Sequence, residues 1–171
     1  MRAIGRTAAG LTMTGAVLGL VTGIGAGTAM ADTVSTTYSC AAGGQTLEVT
    51  EKITITAPAT ANTGDTVTLQ VAVEHGTKTT GTVPAKSVTA QMVVAVGGAG
   101  SGAVTATGLT NPEEIPQGTV PVLSGGTAQV SLSAPGDVTF TPSELTVDNG
   151  GLKATCSPIG SVAAAATTHV S

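Results

Sequence analysis

Alternation of apolar and polar residues with a period of two is the feature that most constrains how this chain can fold. Three successive segments show it, 47–55, 67–73 and 88–96, where Val, Leu, Ile, Ala or Met occupies nearly every second position. In the first segment, Glu51 is the single break in the apolar series. This period, kept over such lengths, is typical of β-strands that bury one face. The sequence therefore predicts three consecutive strands.

Shorter segments of the same kind follow, with Gly or Pro between nearly all of them: 104–107, 119–123, 127–132, 137–140, 144–147 and 152–156. The residues Asp148-Asn149-Gly150-Gly151 tolerate the positive φ angles of a tight turn, which predicts a β-hairpin there. We therefore predict an all-β fold, an antiparallel immunoglobulin-like β-sandwich of about seven to nine strands without a long helix. Its core would contain Phe140 and Tyr38 as the large aromatic residues.

The chain has two cysteines, Cys40 and Cys156. An even count in an exported protein predicts a disulfide, and two cysteines allow one pairing. The bridge would join the first strand to the last. A catalytic thiol or a metal-binding pair is the alternative, but the chain has neither a CxxC spacing nor a cluster of histidine ligands.

Residues 1–31 have the pattern of a cleaved secretory signal peptide. Arg2 and Arg6 form a basic start, an uncharged Ala/Gly/Leu/Val run follows, and Ala29-Met30-Ala31 gives a small-x-small site for cleavage after Ala31. A membrane anchor is the alternative, which the missing basic cluster after the run disfavours. We expect a secreted, extracellular protein without a stable membrane anchor after cleavage, with one domain over 32–158 and a disordered tail over 159–171.

The composition disfavours nucleic acid as a partner. Removal of the signal leaves four Lys against ten Asp and Glu, and the chain has no Trp, one Tyr and one Phe. Nucleic-acid binding relies on clustered positive charge and often on aromatic stacking surfaces, which such a chain lacks.

No pattern in the sequence predicts catalysis, and no GxSxG, HExxH or P-loop motif occurs. His169 falls in the predicted tail, and we interpret His75, at the end of a strand, as a solvated residue. Glu51, and the pair Glu113 and Glu114, which are adjacent to each other, have ordinary structural interpretations. The glycine cluster at 97–102 is typical of a flexible turn. The sequence therefore predicts no enzyme, no catalytic or metal-binding residues and no cofactor.

Several turns and strands resemble an actinobacterial exported domain of unknown function. The resemblance rests on Tyr38-Ser39-Cys40, on Ile115-Pro116-Gln117-Gly118, on Pro135-Gly136-Asp137-Val138-Thr139-Phe140 and on the closing Cys156. It covers most of the chain after the signal. These motifs carry no chemistry, and the resemblance implies no active site.

Two functional hypotheses from different classes follow. The first is a non-catalytic structural or interaction module at the cell envelope or in the medium, with an extracellular or cell-wall partner that the sequence does not identify. The alternative is a small-molecule carrier with its ligand between the sheets. An enzyme ranks third, and a protease inhibitor with 111–121 as its reactive loop ranks fourth.

Overall fold

The computed structural model describes residues 28–171, so most of the predicted signal peptide, residues 1–27, lies outside the described residues. Within the described part the regular structure is entirely β, as predicted. The strands are β1 (Ala29–Ala42), β2 (Gln45–Pro58), β3 (Thr60–Ala61), β4 (Thr66–His75), β5 (Val88–Gly98), β6 (Ala103–Thr110), β7 (Val122–Ser131), β8 (Gly136–Asn149), β9 (Leu152–Pro158) and β10 (Ala166–Val170). The described strands number ten, one more than the upper end of the expected range.

All ten strands belong to one sheet in the order β3-β10-β8-β5-β6-β7-β4-β2-β1-β9. The strand β9 also pairs with β8. Eight strands therefore form a closed ring of hydrogen-bonded neighbours, in the order β8-β5-β6-β7-β4-β2-β1-β9. All pairs are antiparallel except the short β3–β10 pair. Closure satisfies strand edges that an open sheet would leave unpaired.

The predicted alternation becomes the inner face of the ring. In β4, Val67, Leu69, Val71 and Val73 are all buried, and the residues between them are exposed or partly exposed. The aromatic side chains of Tyr38 and Phe140 are 0% exposed, which confirms their place in the core. Apolar burial on this scale is the main stabilising contribution to such a fold.

Two pairs of predicted strands are single strands in the structure. The segments 137–140 and 144–147 are continuous in β8 although Pro142 lies between them. The β5–β8 register shifts between Met92 and Val94, and Val94 is the partner of Pro142. Such an irregularity accommodates a residue that has no N–H to donate. Similarly, 119–123 and 127–132 contribute to one strand, β7, which contains Gly125 and Gly126.

The predicted disulfide is present between Cys40 and Cys156. These residues are direct partners in the β1–β9 ladder. The bridge joins the first strand, as expected, but not the last one, because Cys156 lies in β9 and β10 follows it.

The expectation of a disordered tail over 159–171 was also wrong. The strand β10 pairs with β8, and Val170 is 1% exposed. Thr168 is fully buried, and its hydroxyl donates a 2.7 Å hydrogen bond to the carbonyl oxygen of Pro58. Because this bond satisfies the one polar side chain on the inner face of β10, the strand can pack against the core.

The predicted cleavage site lies inside a strand. Residues Ala29 to Ala31 pair with Pro58 to Thr56 at the beginning of the β1–β2 ladder. Cleavage after Ala31 would leave the ladder intact from Asp32, which pairs with Ile55. The cleavage itself stays a prediction.

Candidate functional site

A cavity of about 680 Å³ lies at one end of the ring. Its walls come from the C-terminal ends of β1, β4 and β8 and from the N-terminal ends of β2, β5 and β7, together with β9. In an antiparallel sheet these alternating ends meet on the same side. The volume falls within the range of about 300 to 1,000 Å³ that is usual for small-molecule sites.

Two loops complete the walls of the cavity, and we call them the wall loops: 76–87, between β4 and β5, and 111–121, between β6 and β7. Val83 and Ile115 exchange two backbone hydrogen bonds of 2.9 Å, and both residues line the cavity. The Thr79 N–H donates to the carbonyl oxygen of Thr119, and the Gly118 N–H donates to the carbonyl oxygen of Thr79, each at 2.9 Å. These backbone hydrogen bonds join the two loops into one wall. The second loop, 111–121, is the segment of the protease-inhibitor hypothesis.

Asn111 fixes the wall loops to the sheet. Its side chain accepts a hydrogen bond from the Val88 N–H at 3.0 Å and donates to the carbonyl oxygens of Pro84 at 2.7 Å and Glu113 at 3.0 Å. Asn111 is 0% exposed, so these bonds are made away from water, where their loss is costly. The residue is a positioning residue of the cavity wall.

Most of the cavity lining is apolar. Leu47 is 68% exposed although it lines the cavity, which shows that the cavity opens to solvent beside β2. The disulfide also contributes to the lining. Apolar side chains from five strands supply much of the remaining surface: Val49, Val73, Val88, Leu123, Leu145 and Val147.

Glu51 places a carboxylate in this apolar wall. It belongs to the inward-facing series of β2, between Val49 and Ile53, and is 3% exposed. Its direct partner across the β2–β4 ladder is His75, and Oε1 of Glu51 lies 2.7 Å from Nδ1 of His75. An ionised carboxylate can only accept, so the Nδ1–H of His75 is the donor.

The second carboxylate oxygen of Glu51 is buried without a hydrogen-bond partner among the described residues. Burying an acceptor in this way costs roughly 1–3 kcal/mol, and more where the group is charged. An alternating strand would normally place an apolar residue here. The second carboxylate oxygen of Glu51 thus destabilises the fold at a position where an apolar side chain would not.

The carboxylate changes the titration of its neighbours. The hydrogen bond to Glu51 is the main cause that raises the pKa of His75 above 6.5, and the negative charge of Glu51 adds to it, while burial acts in the opposite direction. Burial first, and then the charge of Glu51, raises the pKa of the Tyr38 hydroxyl. Tyr38 is therefore neutral, and it donates a 2.8 Å hydrogen bond to the carbonyl oxygen of Ser143.

A close backbone approach holds His75 in place. Gly76, the next residue, lies so near β2 that a Cβ atom added to it would overlap the carbonyl oxygen of Thr50. The His75 N–H donates at 2.9 Å to the carbonyl oxygen of Pro121 in the second wall loop. The backbone at His75 is therefore held from two sides, and the side chain remains 38% exposed.

The structure changes the interpretation of two residues. His75 is not simply solvated, and Glu51 does not simply interrupt a strand, because the two are bonded at the cavity. His169 lies elsewhere, in an exposed pair with Asp137, and Glu113 and Glu114 are exposed. The break in the apolar series at Glu51 was the available signal, but pairing it with His75 required the strand register.

The other predicted positions lie as follows. Cys40 and Cys156 are brought to the cavity wall. The glycine cluster 97–102 comprises the last two residues of β5 and the turn that leads to β6. Ala31 is exposed in β1. Within residues 28–171, no group of three or more His, Cys, Asp or Glu side chains is placed to hold a metal ion.

No family model, no curated protein and no solved structure matches this chain. Among the residues that the structure describes, no helix has the length and apolar character needed to cross a membrane.

Proposed function

We propose that this protein is a non-catalytic small-molecule carrier whose ligand occupies the cavity at the end of the ring. The observation that carries the proposal is the unpaired, buried oxygen of Glu51 in the wall of an apolar cavity. Small-molecule sites combine mostly apolar walls with a few polar groups that orient the ligand. The cavity has this composition: on its strands, Glu51 and His75 are polar groups that are at least partly buried, and Gln45 and Asn149 are exposed polar groups.

The same geometry favours binding over catalysis. In the described part of the chain, the side chains of His75 and Glu51 bond to each other and to no hydroxyl or thiol. Nucleophilic catalysis requires a base within hydrogen-bond reach of its nucleophile. Both cysteines are engaged in the disulfide.

The cavity also favours a carrier over the structural or interaction module that the sequence suggested first. A purely structural domain gains no stability from an unpaired carboxylate oxygen in its core, and an apolar residue at position 51 would serve it better. Retention of Glu51 has a direct explanation when the carboxylate contacts a ligand.

The setting of this function is part of the proposal. We place the carrier outside the cell, as a secreted protein with residues 1–31 removed and with its contacts in the medium or at the envelope. The disulfide is compatible with such a compartment. We also propose that the closed sheet packs as an immunoglobulin-like sandwich and that the chain belongs with the actinobacterial exported domains that it resembles.

Native mass spectrometry of protein recovered from its own culture medium tests the proposal. A carrier should retain an added mass that is lost on denaturation. In Val147→Phe the larger side chain should fill the cavity and abolish this added mass, whereas Val122→Phe, at a position 45% exposed and outside the lining, should keep it. Recovery of the wild-type protein without any added mass, together with failure to bind apolar probes, would contradict a carrier function.

A further inference from the structure

We propose that the ligand is an apolar small molecule with one terminal hydrogen-bond-donating group, a hydroxyl or an amine, and that this group pairs with Oε2 of Glu51. This inference rests on the proposed function and adds the chemical class of the ligand. It follows from which polar atoms of the cavity are already engaged.

Among the polar strand residues that line the cavity, Gln45 and Asn149 are exposed to solvent, and the buried Glu51 has one acceptor without a donor. Oε1 of Glu51 is engaged by His75 at 2.7 Å, whereas Oε2 has no partner among the described residues. A carboxylate oxygen accepts hydrogen bonds and cannot donate them. A complementary ligand must therefore supply an O–H or N–H group at this position.

The charge of the site disfavours acidic ligands. A ligand carboxylate near Oε2 would place two negative charges together in an apolar environment, where repulsion is screened poorly. The cation of His75 is already bonded to Glu51 when the imidazole is protonated. Lys78, the other cation of the lining, is exposed on the first wall loop.

The depth of Glu51 limits the size of the donating group. The side chain is 4% exposed, and Oε2 has almost no accessible surface. Binding therefore requires the Glu51 side chain to turn toward the cavity, and a hydroxyl or a primary amine is a donor small enough to meet Oε2 there. The apolar part of the ligand would then lie along Val49, Val73 and Leu145 toward the opening beside Leu47.

Three probes of equal chain length test this inference: 1-octanol, octylamine and octanoate. Binding to the disulfide-intact protein is followed by calorimetry and by amide chemical shifts. We expect 1-octanol or octylamine to bind at least about tenfold more tightly than octanoate, as one hydrogen bond to a charged group implies. Octylamine alone would identify a cationic head group, and 1-octanol alone a neutral one.

Glu51→Gln tests the assigned atom, with Glu48→Gln as its matched control. Glu48 lies on the same strand, is exposed, and loses the same charge. Glu51→Gln should abolish the preference over octanoate, and Glu48→Gln should leave it unchanged. Circular dichroism checks that both variants fold. If Glu51→Gln does not fold, the comparison of the three probes on the wild-type protein still decides the question.

The outcomes separate this inference from the proposed function. Binding of all three probes in the cavity with equal affinity would overturn the donor assignment and leave the carrier function standing. Tighter binding of octanoate would likewise overturn it and would point to Lys78 on the first wall loop. If none of the probes binds, the donor assignment fails, and the carrier function fails with it when native mass spectrometry also shows no added mass on the wild-type protein.

Discussion

The imidazole of His75 donates a 2.7 Å hydrogen bond from Nδ1 to Oε1 of Glu51, and these two residues are direct partners in the β2–β4 ladder. One carboxylate oxygen is thus held in position, and the other faces no hydrogen-bond partner among the described residues. The pair connects the strand register to the chemistry of the cavity.

The titration of His75 should depend on Glu51. In the wild-type protein the pKa of His75 should lie above 6.5, because the hydrogen bond and the charge of Glu51 favour the imidazolium. In Glu51→Gln the charge is gone while burial still acts, so the pKa should fall to about 6.5 or below. NMR titration of the imidazole C–H signals measures this, and Glu48→Gln should behave as the wild type. An unchanged His75 pKa in Glu51→Gln would refute the pairing.

Stability should decrease as the pH rises through the pKa of folded His75. Because this pKa is raised above the value of 6.5 in the unfolded chain, the stabilisation is complete below about pH 6.5 and is lost at higher pH. The effect should stay below about 1 kcal/mol, since the imidazole is 38% exposed and water screens the pair. Urea unfolding at several pH values measures it. His75→Gln should remove this part of the pH dependence, and an identical pH profile in the variant would argue against the effect.

Gly76→Ala should destabilise the protein, because the added Cβ overlaps the carbonyl oxygen of Thr50 and forces β4 away from β2. We expect a loss of about 2 kcal/mol or more in the free energy of unfolding, with a weakened His75–Glu51 bond. Gly81→Ala in the same wall loop has no atom within 4 Å of its Cβ and should change stability by less than about 1 kcal/mol. Equal effects of the two substitutions on urea unfolding would contradict the close approach.

Asn111→Ala should loosen the wall loops. It removes three hydrogen bonds and leaves the Val88 N–H and the Glu113 carbonyl oxygen without their Asn111 partner, whereas the Pro84 carbonyl oxygen keeps its hydrogen bond from the Ser87 hydroxyl. The loss should cost about 2–4 kcal/mol. Hydrogen exchange in 76–87 should accelerate. Asn62→Ala, at an exposed position, is the control and should leave this loop unaffected. Unchanged exchange in Asn111→Ala would mean that the loops are held in another way.

Much of the fold could be predicted from local pattern. The alternation in 47–55, 67–73 and 88–96 located β2, β4 and β5, because each inward side chain there is apolar apart from Glu51. The cysteine count was sufficient for the disulfide. Local pattern failed in β8, where Pro142 suggested a break that the register shift opposite it accommodates. It failed again in β10, where a buried Thr168 obscures the alternation.

The candidate site could not be predicted from local sequence patterns, for a different reason. Glu51 and His75 are 24 positions apart, and only the register of β2 against β4 makes them partners. The wall loops likewise come from separate parts of the chain and meet through Val83 and Ile115. Sequence periodicity specifies which face a residue occupies, but not which residue lies opposite.

The most direct test of the central claim is an amide chemical-shift titration of the isotope-labelled, disulfide-intact protein with 1-octanol and octylamine. A binding site in the cavity predicts saturable shifts concentrated at Leu47, Val73, Val83 and Val147. It predicts little change in β10, which pairs with the N-terminal end of β8, whereas the cavity is lined by the C-terminal end of that strand. Shifts that do not saturate, or that scatter over the surface without reaching the cavity walls, would contradict the claim that this cavity is a binding site.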